Sequence, residues 1–121
     1  MSYVKHFTLF ASAAHTAADT GTVSDWVDVD DCNELLVWLD ITAFAARADE
    51  TLVLTIERWA PNTAGYTTIM TFDTIVATGA ASVENYEDCF LGGKIRARIV
   101  LAGTWSSKSI TFSVTAQAKS A

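Results

Sequence analysis

Hydrophobic positions recur at every second residue along most of this chain, the period of a strand with one face buried and the other in water. In Thr51-Leu52-Val53-Leu54-Thr55-Ile56-Glu57-Arg58-Trp59, Leu52, Leu54 and Ile56 share one side, while Val53, Thr55, Glu57 and Trp59 share the other. The run Lys94 to Leu101 sends Ile95, Ala97, Ile99 and Leu101 inward, with Lys94, Arg96 and Arg98 outward. Ser109 to Ala116 alternates most cleanly of all. These are antiparallel-type strands. Further strands are predicted over Tyr3 to Phe10, Thr22 to Val29, Glu34 to Phe44 and Tyr66 to Val76, and a short one at Cys89 to Leu91 would complete the set. Leu36-Val37-Trp38-Leu39 is continuously apolar. It predicts a central strand buried on both faces, or covered on one by a partner chain, and puts Trp38 in the core.

Turn residues punctuate these runs at Asp19-Thr20-Gly21, Pro61 to Gly65, Gly92-Gly93 and Ala102-Gly103-Thr104. The Gly103 turn lies between two strands and reads as a hairpin. Short helical turns are plausible only at Ala43 to Glu50 and Gly79 to Glu87. The expected fold is all-β, an antiparallel β-sandwich of jelly-roll-like or Ig-like type with about 7–8 strands. It forms a single domain, with 1–21 as an N-terminal strand or arm and 22–121 as the sandwich core.

Half of the 121 residues are hydrophobic and 18% are charged, which supports a packed core and argues against disorder. The net charge of −6, with eight scattered Lys and Arg, disfavours nucleic-acid binding and anionic lipid surfaces. No apolar run approaches the roughly 18–20 residues of a membrane span. Lys5, the run Phe7 to Phe10 and Ala11-Ser12-Ala13 loosely imitate a signal peptide. The apolar part is too short and Thr8 interrupts it, so none is expected. Cys32 and Cys89 are too few for a disulfide framework. They could pair, since both follow acidic residues at strand ends; free thiols from a reducing cytoplasm are the preferred reading.

Catalytic templates fail. His6 and His15 lie in no nucleophile motif, and there is no Gly-x-Ser-x-Gly elbow, P-loop or His-Glu-x-x-His. Asp25, Asp28, Asp30, Asp31 and Glu34 form the densest carboxylate run. Calcium is one use for it, but it lacks the EF-hand order and reads as a solvated end that discourages edge pairing. No catalytic, cofactor-binding or metal-ligating residue is therefore assigned, and the chain is expected not to be an enzyme. Trp59, beside Pro61, and Trp105, in the Gly103 turn, can cap the sandwich, anchor an interface or stack on sugars. Arg96 and Arg98 form a basic stripe that could meet the acidic run of the same chain or a neighbour, favouring self-association or docking.

The order of segments resembles small structural proteins of tailed-phage morphogenesis modules. The resemblance rests on Ser24-Asp25-Trp26-Val27-Asp28-Val29, Leu36 to Thr42, Thr51 to Glu57, Thr71-Phe72, Lys94 to Arg98, and the Gly103 turn into Ile110 to Val114. It covers the chain from about Thr22 onward, and the first twenty residues fall outside it. It implies a capsid decoration or cement protein, made in the host cytoplasm and carried on the virion surface as a homotrimer that bridges major capsid protein subunits. A tail or neck component is the alternative within the particle; a carbohydrate-binding module using Trp59 and Trp105 is the alternative outside it. Neither nucleic acid nor membrane is expected as a partner. The interface candidates are Tyr3, Lys5, Phe7, Trp59, Arg96, Arg98 and Trp105.

Overall fold

The computed structural model describes residues 4–44, 49–60, 65–88, 93–105 and 108–120. Among them eight strands follow one another: β1 (Val4–His15), β2 (Val27–Asp28), β3 (Glu34–Phe44), β4 (Thr51–Ala60), β5 (Gly65–Thr71), β6 (Ala81–Asp88), β7 (Lys94–Ala102) and β8 (Ile110–Lys119). A three-residue 3-10 turn, Ala17–Asp19, follows β1. Two four-stranded sheets result, in the orders β1-β8-β3-β6 and β2-β7-β4-β5. Every neighbouring pair is antiparallel. Only β4 and β5 are neighbours both in sequence and in space, and the other connections cross between layers. That connectivity is a jelly roll.

Period two decides which side chains form the core. Along β3, Leu35, Val37, Leu39 and Ile41 are buried and alternate with half-buried residues. On the opposing sheet Leu52, Leu54 and Ile56 of β4 join Ile95, Ala97 and Ile99 of β7 in the same cluster. Burying a Leu or Ile side chain is worth about 1.5–3 kcal/mol, so these two rows carry much of what holds the layers together.

Several expectations change. The stretch Gly79 to Glu87 is not helical; it supplies most of β6, paired with β3 from Ile41↔Ala81 to Glu34↔Asp88. Its Ala and Glu are good helix formers, but pairing with a central strand outweighs propensity. The possible strand at Cys89 to Leu91 lies outside the described residues, as does Cys89 itself, while Cys32 is buried. Thr22 to Val29 contributes only β2 and a lone bridge from Val23 to Arg98. The strand from Tyr66 ends at Thr71, with one further bridge at Ile75. Trp38 is not core: it points outward from β3, half-buried, because only one face of each sheet in a two-layer sandwich meets the other layer.

The Gly103 turn closes no hairpin, since β7 and β8 belong to different sheets. Its φ of +99° is the left-handed region. A Cβ there would stand 2.5 Å from the Asp49 carbonyl oxygen, so the connection is pressed against backbone just before β4. Trp105 follows and is 6% exposed, stacked on Phe44 at 5.7 Å with its indole N–H donating to the Ala102 carbonyl. Of the three uses open to Trp105, the structure bears out capping of the core, and the expected exposed interface role does not hold there. No helix among the described residues is long and apolar enough to cross a membrane.

Candidate functional site

Alternation on β4 and β7 turns Glu57, Trp59, Arg96 and Arg98 to the outer face of the second sheet. The register sets Glu57 directly opposite Arg96, and Thr55 opposite Arg98. Cross-strand and diagonal neighbours on one face lie within reach of long side chains. Arg96 Nε donates to Glu57 Oε1 at 2.8 Å, and Arg98 Nε donates to Glu57 Oε2 at 2.7 Å. One carboxylate thus bridges two guanidiniums.

Aromatic rings cover this bridge. The Arg96 guanidinium lies 4.3 Å from the Trp26 ring centre and 5.2 Å from that of Tyr66, and Arg98 lies 5.0 Å from Tyr66. Trp26 and Trp59 meet edge to face at 5.6 Å. Tyr66 enters from β5, opposite Trp59 in register. The rings leave Glu57 only 1% exposed, on a face its alternation assigns to solvent. A desolvated carboxylate is tolerable when charge-assisted donors satisfy it, and here two do. Arg98 also donates to the Gly21 carbonyl, and its hydrogen bond to Glu57 raises a pKa that is already very high.

The outcome is a rigid surface of Trp, Tyr and Arg carrying two positive charges against one negative. Trp59 is 38% and Tyr66 46% exposed, with exposed Val100 further along the same face of β7. Such residues, already fixed in place, anchor protein interfaces because little side-chain freedom remains to be lost on binding.

The structure therefore brings together three expected residues, Trp59, Arg96 and Arg98. It does not bring in the others. Trp105 is buried at one end of the sandwich. Phe7 packs against the core from β1, and Lys5 donates to the Asp28 carbonyl at 2.8 Å, tying β1 to β2 of the other sheet. Tyr3 lies outside the described residues. The stripe at Arg96 and Arg98 does not await the acidic run of its own chain, because Glu57 already holds both guanidiniums. Asp25, Asp28, Asp30 and Asp31 remain exposed. No group of three or more His, Cys, Asp or Glu side chains among the described residues is placed to hold a metal ion. Glu57, Trp26 and Tyr66 escaped the sequence reading; the one signal for them was an outward Glu on β4 at the same level as outward Arg on β7.

Neither a protein-family model nor a curated protein sequence matches the chain. Solved structures do share its fold. The Eiger TNF of S. frugiperda superposes with a TM-score of 0.58 at 12% identity, covering 99% of this chain and 93% of that one. Infectious bursal disease virus, Gx strain, gives 0.54 at 12% identity over 99% of this chain and 33% of the viral one. The Clostridium thermocellum xylanase 10B, as its CBM22-1 and GH10 modules, gives 0.53 at 12% over 98% of this chain and 26% of that one. The chain thus spans about a third of the viral chain it matches. These likenesses show the fold alone, a jelly-roll β-sandwich, one of the two types expected from the strand pattern.

Proposed function

We propose that the chain is a non-enzymatic structural protein of a tailed-phage particle. In this reading it is a capsid cement or decoration protein that docks on the major capsid protein through the Trp26, Trp59, Tyr66, Arg96 and Arg98 face. The observation that carries the reading is the buried Arg96–Glu57–Arg98 bridge under exposed aromatic rings, a preformed interface anchor. The jelly-roll fold, shared with a chain of infectious bursal disease virus, is consistent with it. As a homotrimer on a repeating shell, the protein would gain strength from several modest contacts made at once. A tail or neck position would use the same face on a different lattice.

The carbohydrate-binding alternative needs Trp59 and Trp105 as paired stacking platforms. Burial of Trp105 removes one of them, although the xylanase whose modules share this fold was crystallised with xylohexaose. The test of the docking reading is molar mass in solution by light scattering, followed by imaging of phage heads lacking the protein after the purified chain is added. A trimer that decorates the heads at regular positions is the expected result. A monomer that leaves them bare contradicts it.

A further inference from the structure

The outer face of the first sheet is built differently from the docking face. Three hollows open along it. One of about 220 Å³ lies between Leu36, Tyr86 and Gln117. The next, about 270 Å³, lies between His6, Trp38, Thr115 and Gln117. The third, about 540 Å³, lies between Ser12, Asp40, Ser82 and Ser113. Gln117 lines the first two, so they adjoin. Together they follow β3 from Glu34 to Thr42, about 27 Å at the usual strand rise of about 3.4 Å per residue. A row of shallow hollows of that length suits a chain better than a small ion.

Its chemistry is specific. Trp38 stands in the middle, and its indole N–H donates to Glu84 Oε2 at 3.0 Å, which fixes the ring. Tyr86 donates its hydroxyl to Glu34 Oε1 at 2.6 Å, and Lys119 Nζ stands 3.9 Å from the same carboxylate. Glu84 and Glu34 thus each accept a hydrogen bond from one of the two rings. By contrast, the side chains of His6, Thr8, Thr115 and Gln117 make no hydrogen bond within the described residues. These four offer hydroxyl, imidazole and amide groups, which both donate and accept.

We propose that this trough binds a neutral oligosaccharide chain. Ring faces held in place suit the apolar faces of sugar rings, and uncommitted neutral polar groups suit their hydroxyls. An anionic ligand would meet Glu34, Asp40, Glu84 and Asp88, with Lys119 the one lysine or arginine lining these hollows among the described residues. An apolar peptide would find hydroxyls along most of the floor. The face lies on the opposite side of the sandwich from Trp59 and Arg96, so the protein could dock on a particle with one sheet and hold a glycan with the other.

Affinity electrophoresis of the full chain in gels containing β-linked hexaoses or soluble polymers of glucose, xylose and mannose tests this. At least one of these probes is expected to retard the protein. Trp38→Ala and, separately, Gln117→Ala are each expected to weaken that retardation at least about ten-fold, which corresponds to about 1.4 kcal/mol. Trp59→Ala is expected to retain it. Gln117→Ala changes one outward side chain and serves as the test if Trp38→Ala melts early. Retardation by none of the probes overturns the proposal, as does retardation unchanged in Gln117→Ala or abolished by Trp59→Ala. Head binding separates the two surfaces, because Trp38→Ala should keep it whether or not the glycan site exists.

Discussion

Arg96 and Glu57 face each other across β7 and β4 with Nε and Oε1 2.8 Å apart, and the carboxylate between them is almost wholly removed from water. A charge in that position is held only as long as its partners remain. Removing one partner of a buried ion pair typically costs about 3–5 kcal/mol. Arg96 and Arg98 retain 17% and 25% side-chain exposure and can be partly rehydrated. Glu57→Gln should therefore cost less, about 2–3 kcal/mol. Urea unfolding checks this: the midpoint should fall with an unchanged slope. A midpoint equal to that of the unaltered protein would show the bridge to be energetically idle.

The two loop-end tryptophans should separate cleanly. Trp105→Ala leaves a cavity beside Phe44 and orphans the Ala102 carbonyl, a loss of about 3–5 kcal/mol. Trp59→Ala removes a ring that is over a third exposed, and should cost about 1 kcal/mol or less. At several degrees of melting temperature per kcal/mol for a domain of this size, calorimetry distinguishes them easily. Equal shifts would contradict the buried position of Trp105.

Gly103→Ala tests the crossing between layers. The added methyl would need a left-handed backbone and would press on the Asp49 carbonyl oxygen. The Thr104 N–H, which donates to Asp49 Oδ1 at 3.1 Å, would be displaced with it. A loss of about 2–3 kcal/mol is expected from strain of this kind. Thermal melting within a degree of the unaltered protein would mean that the turn is not held there.

Tyr86 supplies a pH signature. Its hydroxyl donates to Glu34, and that hydrogen bond, with smaller help from desolvation and the nearby charges of Glu34 and Asp88, raises its pKa from 10.0 to about 12. The folded state therefore keeps a proton that the unfolded chain loses near 10. The contribution is complete below that pH and is lost as pH rises through about 12. Phenolate absorbance should show one late-titrating tyrosine that disappears in Tyr86→Phe and moves back toward 10 in Glu34→Gln. An unchanged titration in Glu34→Gln would break the assignment.

Alternation located β4, β7 and β8 directly; β3 was legible from Glu34 to Phe44, and strands overlapping β1 and β5 were legible with different ends. In β3 the continuously apolar Leu36 to Leu39 hid the one wet face, which is why Trp38 reads as core from the sequence. β6 escaped because Ala81, Glu84 and Glu87 have helix propensity, and its strand state comes from pairing with β3, forty-odd residues away. Arg96 and Arg98 were legible as an outward stripe, but their partner was not. Glu57 occupies an outward position, which reads as solvated; it is buried beneath Trp26, just before β2, and Tyr66 of β5, and no local pattern records that. Trp105 fits its capping reading but not its place among the interface candidates, for a related reason. A turn residue next to Gly103 looks exposed until the turn is seen to fold over the end of the sandwich.

The central claim is that the Trp59–Tyr66–Arg96–Arg98 face docks the protein on a particle. Cosedimentation with phage heads lacking the protein, comparing the unaltered chain with a Trp59→Ala, Tyr66→Ala double variant, tests it most directly. An aromatic anchor is worth about 2 kcal/mol or more, roughly thirty-fold in affinity. The variant should stay in the supernatant at concentrations where the unaltered chain pellets, while melting several degrees lower and remaining folded at the temperature of the assay. Equal pelleting of the two would contradict the account.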